Sequence, residues 1–339
     1  MGVYMPTFYG IGRSTVDIFI PVEKIPLKFA DQNLTRVSKD EMANLLPNLL
    51  KLAKGEIHKV AGGMTANVIK IASYLGAKSF YTSTVGNDEN ARLFEKQITK
   101  YGVCAFHDKT KETIGTFVVL HQKNPEDICG KSICFSSPGD SVDIHPIQIR
   151  THYLSNADCV VTEANLMEDA PLWEKLISEC IEYKKPLLIN IGTLSMTEYV
   201  GKQLLDLYKK VPLIITGKEA EIKLIDEFLK KNSTDLFKIT EYDGSYDSPL
   251  IIELGTNCES KAWFEGSCYS TSATSVGYFD EIGTCDCFTG SFITRWFSIA
   301  RDFHDRRKNA AAIIDCLDFA NEMAQKARAN YGCNILQEK

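Results

Sequence analysis

DEIGTCDCFTGSF, residues 280–292, is the stretch that decides the fold. A turn of small residues, Gly283-Thr284-Cys285, delivers one acid, Asp286, directly onto Cys287-Phe288-Thr289-Gly290-Ser291-Phe292, whose apolar spacing continues to Phe297 with a helical period. The acid therefore stands at a helix start. Unpaired backbone N–H groups and the positive end of the helix dipole attract phosphate at such a place. A carboxylate beside phosphate is repelled unless it has work to do. Phosphoryl transfer supplies that work: the acid takes a proton from an attacking hydroxyl while the amides stabilise charge on the moving group. The competing reading is an Asp that only caps its own helix.

Outward from this stretch, Thr7–Ile20 (TFYGIGRSTVDIFI) opens as a strand, meets Gly10 and Gly12, and then places Asp17. Strand, glycine turn and acid suit the first unit of an α/β sheet. A third glycine, which dinucleotide binding would require, is missing, so a nicotinamide-dependent oxidoreductase is disfavoured. In Val60–Ala77 (VAGGMTANVIKIASYLGA), Gly62-Gly63 let the backbone approach a ligand, Asn67 offers a donor and an acceptor, and Val68, Ile71, Ala72 and Leu75 form the buried stripe of a helix. Between these two stretches, Ser38–Lys54 reads as an amphipathic helix with a Ser38/Glu41 capping box and Pro47 inside it. Thr113–Leu120 and Lys131–Phe135 read as a hairpin around Asn124-Pro125-Glu126-Asp127. Strands at 157–162, 186–191 and 211–216 then alternate with helices at 171–183 and 197–208, which predicts a parallel sheet covered on both faces. Ligands of such sheets bind at the carboxyl ends of the strands.

Five of these stretches together resemble the PfkB, or ribokinase-like, carbohydrate and nucleoside kinases, in order and over nearly the whole chain. Asp280, Gly283, Asp286 and Phe288 match the family pattern D-T-x-G-A-G-D-x-F. Val60–Ala77 matches its double-glycine motif, with Ile69 and Ser73 at two alanine positions, and the turn Gly86-Asn87-Asp88 follows in register. The helix before the double glycine resembles the adenosine-kinase-like branch, and Asp318-Phe319-Ala320-Asn321 with Tyr331-Gly332, in a helix expected over 309–331, matches the adenine-flanking segment. The resemblance implies one doubly wound α/β domain over 1–339, mostly parallel, with a small β lid from about 17–37 and 110–136 inserted in it. It implies an ATP- and magnesium-dependent transfer of the γ-phosphoryl group to a primary hydroxyl of a sugar or nucleoside. Asp286 would be the base, the amides of Gly283, Thr284 and Cys285 the anion hole, and Asp17, Gly62, Gly63 and Asn67 the acceptor site. Gly255 and Asn321 would serve ATP, Lys131 would stand in the lid near phosphate, and Glu221 would support magnesium through water.

Four departures from the family pattern bear on function. Lys218 stands where the family's N-x-x-E motif has Asn, and an ammonium cannot ligate magnesium, although it can contact phosphate as a point charge. Glu253 in Glu253-Leu254-Gly255 replaces a threonine that contacts phosphate, and its charge would repel ATP unless it faced away or bound metal. Cys285 replaces a glycine of the anion hole, at a cost of about 1 kcal/mol or more if the site needs a positive φ. Arg13 replaces an asparagine on the acceptor side, so it either recognises an acidic or phosphorylated sugar or simply points to solvent or pairs with a neighbouring acid. Lys218, Glu253 and Cys285 motivate the rival reading, a catalytically weak relative that binds a ligand or regulates.

The bulk properties narrow the partners. At 339 residues, 44% of them hydrophobic, the chain can bury a large core. A net charge of -6, with no basic cluster beyond Arg306-Arg307-Lys308, speaks against nucleic acid. No apolar run spans a bilayer and no signal pattern opens the sequence, so the expected location is cytoplasmic, away from membranes. Eleven cysteines without a C-x-x-C pair indicate neither a disulfide framework nor zinc. A monovalent cation, and the choice between a monomer and a lid-mediated homodimer, stay open.

Overall fold

The structure is a computed structural model, described here for residues 4–29, 33–109, 112–124, 127–241, 247–255, 259–272, 281–299 and 310–335. Asp280, Pro125-Glu126 and Arg306-Arg307-Lys308 lie outside the described residues. The strands are β1 Thr7–Ile11, β2 Thr15–Val22, β3 Leu34–Arg36, β4 His58–Gly62, β5 Lys78–Val85, β6 Cys104–Lys109 and β7 Gly115–Asn124. They continue with β8 Asp127–Ser137, β9 Cys159–Glu163, β10 Leu187–Asn190, β11 Leu213–Lys218, β12 Leu250–Leu254, β13 Glu259–Phe264 and β14 Ser267–Ser272. The helices are α1 Lys39–Leu50, α2 Met64–Tyr74, α3 Glu89–Lys100, α4 Thr151–Ser155, α5 Ala170–Glu182, α6 Thr197–Leu207, α7 Glu219–Lys231, α8 Leu236–Ile239, α9 Thr284–Ile299 and α10 Ala310–Arg328.

Nine strands form the main sheet, in the order β14-β13-β12-β11-β10-β9-β1-β5-β6. From β6 to β12 every neighbour is parallel, and β13 and β14 close one edge antiparallel. Strands β9, β10 and β12 (CVVTE, LLIN, LIIEL) are buried at every position, as strands covered by helices on both faces must be. The chain runs from β1 to one side through β5 and β6, then returns to the other side at β9. That reversal leaves a crevice at the carboxyl ends of β1 and β9.

A second sheet, β3-β8-β7-β2-β4, stands beside the first. Four of its strands, β2, β3, β7 and β8, fall between Thr15 and Arg36 and between Gly115 and Ser137. The hairpin strands β7 and β8 reach further towards each other than their β-branched cores indicate, and β4, which carries the double glycine, joins as an edge antiparallel to β2. Helix α1 begins with the expected capping box: Ser38 Oγ accepts from the Glu41 amide at 3.2 Å, and the Ser38 amide donates to Glu41 Oε2 at 2.7 Å. Helix α9 packs against α2 and α10 and buries Cys287, Phe288, Phe292, Trp296 and Phe297. A helix apolar on most faces has to sit inside, and this one carries Asp286 inside with it. Among the described residues no helix is long and apolar enough to cross a membrane.

Candidate active site

Asp286 lies in the first turn of α9, 8% exposed. Two side-chain amides hold its carboxylate: Asn67 Nδ2 donates to Oδ2 at 2.9 Å and Asn190 Nδ2 donates to Oδ1 at 2.8 Å. Burial pushes its pKa up to about 7, the two amides work against that rise, and the nearby carboxylates Glu163 and Asp17 add to it. A carboxylate that titrates near neutrality is suited to take a proton from an alcohol and to release it again. The turn before it needs Gly283, whose φ is +75° and whose Cα faces Cys333 so closely that a Cβ would lie 2.7 Å from the Cys333 Cβ. Cys285 sits within α9 and is not among the residues of positive φ, so the backbone cost attached to it does not arise. Burial raises the Cys285 thiol pKa, which keeps it neutral.

A cavity of about 810 Å³ opens over Asp286. It is lined by Asp17, Gly63 and Asn67 together with Arg13, so the acceptor-side residues of two separate segments converge. Asp17 is 4% exposed on β2, and Thr15 Oγ1 donates to its Oδ1 at 3.1 Å. Gly62, opposite Thr15 in the β2/β4 pairing, makes room for it, since a Cβ there would collide with the Asp17 carboxylate. Gly63 caps α2 with φ +100°, and a Cβ would collide with the Arg13 carbonyl. Gly63→Ala is therefore expected to destabilise the fold by at least about 1–2 kcal/mol, checked by a lower midpoint in urea or heat. Asn67 is 3% exposed and its Oδ1 has no hydrogen-bond partner. A hydroxyl of a bound ligand would satisfy it.

Two site residues escape sequence reasoning. Asn190 ends β10 and Glu163 ends β9, directly opposite each other in the parallel register. Glu163 accepts from the Thr65 amide at 3.2 Å and from Thr65 Oγ1 at 3.0 Å, lines the cavity, and has its pKa raised by burial. The alternatives for Arg13 resolve towards a pair: its guanidinium donates to Glu168 Oε2 at 3.0 Å and to the Asn165 carbonyl at 3.0 Å.

A second cavity, of about 350 Å³, adjoins the first and shares Lys218, Glu281 and Cys285 with it. Gly255 and Thr284 line it, as do the cations Lys223 and Arg328 and the acids Glu219 and Glu281, a mixed set whose cations suit a polyphosphate. Other residues expected on the nucleotide side face elsewhere. Glu253 is 5% exposed, lines neither cavity, and accepts from Lys261 Nζ at 3.2 Å, its partner across β12 and β13. The repulsion expected of it is thus met by an ion pair pointing away. Asn321, 2% exposed on α10, lines neither cavity and donates to Ser260 Oγ at 2.9 Å. Lys131 lies opposite Gln122 on β8 and lines neither cavity, whereas Ser132, Cys134 and Ser136 line the first. Strand alternation sends odd and even positions to opposite faces, so Lys131 faces away from the acid.

Glu221 lines the first cavity, and its Oε2 accepts from the Lys218 amide at 2.8 Å, so one of its acceptor sites is committed before any metal-bound water. Lys218 offers magnesium no oxygen from its side chain. These two positions fit a protein-held magnesium ion poorly.

The same architecture is found in solved kinase structures. Adenosine kinase from Sinorhizobium meliloti superposes with a TM-score of 0.76 at 15% identity, covering 97% of this chain and 96% of that one. Anopheles gambiae adenosine kinase in complex with P1,P4-di(adenosine-5) tetraphosphate gives 0.77 at 16%, covering 98% of each chain. A probable sugar kinase from Rhizobium etli gives 0.76 at 15%, covering 98% of this chain and 96% of that one. At such identity the likeness shows the fold, which is ribokinase-like. No curated protein matches the sequence. Residues 36–339 match the pfkB family of carbohydrate kinases, and the chain belongs to that family of phosphotransferases.

Proposed function

We propose that the protein is an ATP-dependent kinase of a primary hydroxyl on a nucleoside or sugar, with Asp286 as its base. The observation that carries this reading is the buried Asp286 carboxylate, held by Asn67 and Asn190 at the N-terminus of α9 and titrating at about 7. The acceptor hydroxyl gives its proton to Asp286 as its oxygen bonds to the γ-phosphorus. Bound ATP supplies the phosphoryl group and leaves as ADP, which keeps the electron pair of the broken P–O bond. The amides of Gly283, Cys285 and Asp286 would meet the charge on the moving group, the Thr284 amide of the expected anion hole being turned instead to the Glu281 carbonyl at 3.2 Å, while Asp17 and Asn67 orient the acceptor. Glu163 serves as a further hydrogen-bond acceptor for its hydroxyls.

Two features favour a nucleoside over a free or acidic sugar. The cavity of about 810 Å³ is larger than one sugar ring needs, and Leu34, Phe117 and Val142 give it an apolar wall. The Arg13 guanidinium is already engaged by Glu168, which weakens the case for an anionic acceptor. The wall comes largely from the smaller sheet, which we read as a lid. The rival, a binding protein without turnover, loses two of its three motives, because Glu253 pairs with Lys261 and Cys285 needs no unusual backbone.

The test is ADP release across nucleosides, free sugars and sugar phosphates. Turnover on one acceptor supports the reading, and silence across the panel in folded protein overturns it in favour of the rival. On the active acceptor, kcat/KM should fall tenfold per pH unit below about 7 and level off above it, because the base works only when ionised. A flat profile from pH 5 to 8 would remove Asp286 from that role.

A further inference from the structure

Lys218 ends β11 and caps α7, with its backbone amide held by Glu221 at 2.8 Å. Its side chain lines both cavities, and its charge acts on Glu221 and on Cys285, the neighbour of Asp286. Unlike the guanidinium of Arg13, its ammonium makes no ion pair among the described residues. A compact cation with three donors, left uncommitted at the passage between two cavities, is placed to meet an anion moving between them.

A second, independent observation marks the same place. Thr284, the first residue of α9, is 3% exposed and lines the second cavity, and its Oγ1 has no hydrogen-bond partner. A buried hydroxyl without a partner calls for an absent ligand or water to complete it. Relative to the family pattern, an ammonium stands at 218 for an amide, and a hydroxyl at 284 for the methyl of an alanine. Both changes add hydrogen-bond donors on the nucleotide side of the acid.

We infer that Lys218 and Thr284 form a phosphate subsite for the phosphoryl donor, in which the Lys218 ammonium and the Thr284 hydroxyl bind phosphate oxygens directly and replace protein ligation of a divalent cation at this point. The inference rests on the kinase reading for its context, but not for its test. The poor fit of positions 218 and 221 to magnesium and the presence of a free cation there then have one cause. The charge that a metal would neutralise is met by a side chain that belongs to the protein.

The experiment is calorimetric titration of the intact chain with ATP and with inorganic tripolyphosphate, each in EDTA and in magnesium. Wild type should bind both anions in EDTA. Lys218→Met should weaken that metal-free binding by about tenfold or more, the loss expected for one charged contact, and Thr284→Val, which keeps the shape, should weaken it several-fold. Lys218→Asn, which supplies an oxygen, should lose metal-free binding but recover affinity when magnesium is added. Metal-free binding equal in wild type and Lys218→Met overturns the subsite, as does failure of wild type to bind either anion without magnesium. Lys218-dependent binding in a protein that phosphorylates no acceptor would support the subsite while sinking the kinase reading. Turnover unchanged in Lys218→Met, with equal binding, would do the reverse.

Discussion

Asp286→Asn is expected to lower kcat by about 10³- to 10⁴-fold on the active acceptor while leaving acceptor KM within a few-fold of wild type. The substitution keeps size and shape but removes the only charge held between Asn67 and Asn190. The site can absorb it, because Asn67 Oδ1 is unpartnered and a turn of that amide would present an oxygen to the new amide. The same change should stabilise the protein at neutral and alkaline pH. The Asp286 pKa is about 7 in the folded chain against 3.8 for the free side chain, so its contribution to stability is present below about pH 4 and is lost as pH rises through 7. The variant cannot ionise and carries no such loss. Its thermal midpoint should exceed that of wild type by about a few degrees at pH 8, and the gap should shrink towards pH 4. A drop in kcat of less than tenfold would remove Asp286 as the base. Loss of activity with a lowered midpoint at pH 8 would point to structural damage.

Asp17→Asn is expected to act on binding, raising acceptor KM by about 10- to 100-fold with a smaller effect on kcat, since hydrogen bonds to a charged group are worth about 1.5–3 kcal/mol. Gly62→Ala should reproduce this loss from the other side, because its Cβ would displace the Asp17 carboxylate from the space it occupies. The two variants separate in their pH profiles. The charge of Asp17 helps to raise the Asp286 pKa, so removing it should move the acid limb of kcat/KM to lower pH. Gly62→Ala keeps the charge and should shift that limb less. Equal KM for both variants and wild type would separate Asp17 from acceptor recognition.

The residues that mark the candidate site were unevenly legible. Asp286, Gly63 and the Ser38/Glu41 cap announce themselves through short-range chemistry: an acid after a glycine turn, a glycine pair that lets the backbone approach a ligand, a serine three residues before a glutamate. Asn190 and Glu163 carry no such sign. Each ends a short, featureless buried strand, and only the parallel register of β9 with β10 brings the two together. Glu253 and Asn321 fail in the opposite sense, since they sit in segments that match the nucleotide side but point to Lys261 and Ser260. The pairing partner that turns Glu253 aside is eight residues away, across a strand edge that no local pattern specifies.

By itself the sequence determined the alternation of strand and helix, the caps and turns, and the segment that bears the acid, because these rest on contacts within a few residues. The tertiary structure alone decided which carboxylates face one cavity, which are turned into ion pairs, and that Asp286 titrates near 7. Orientation and desolvation depend on what packs around a group, and here its neighbours come from residues as far away as Asn67 and Asn190.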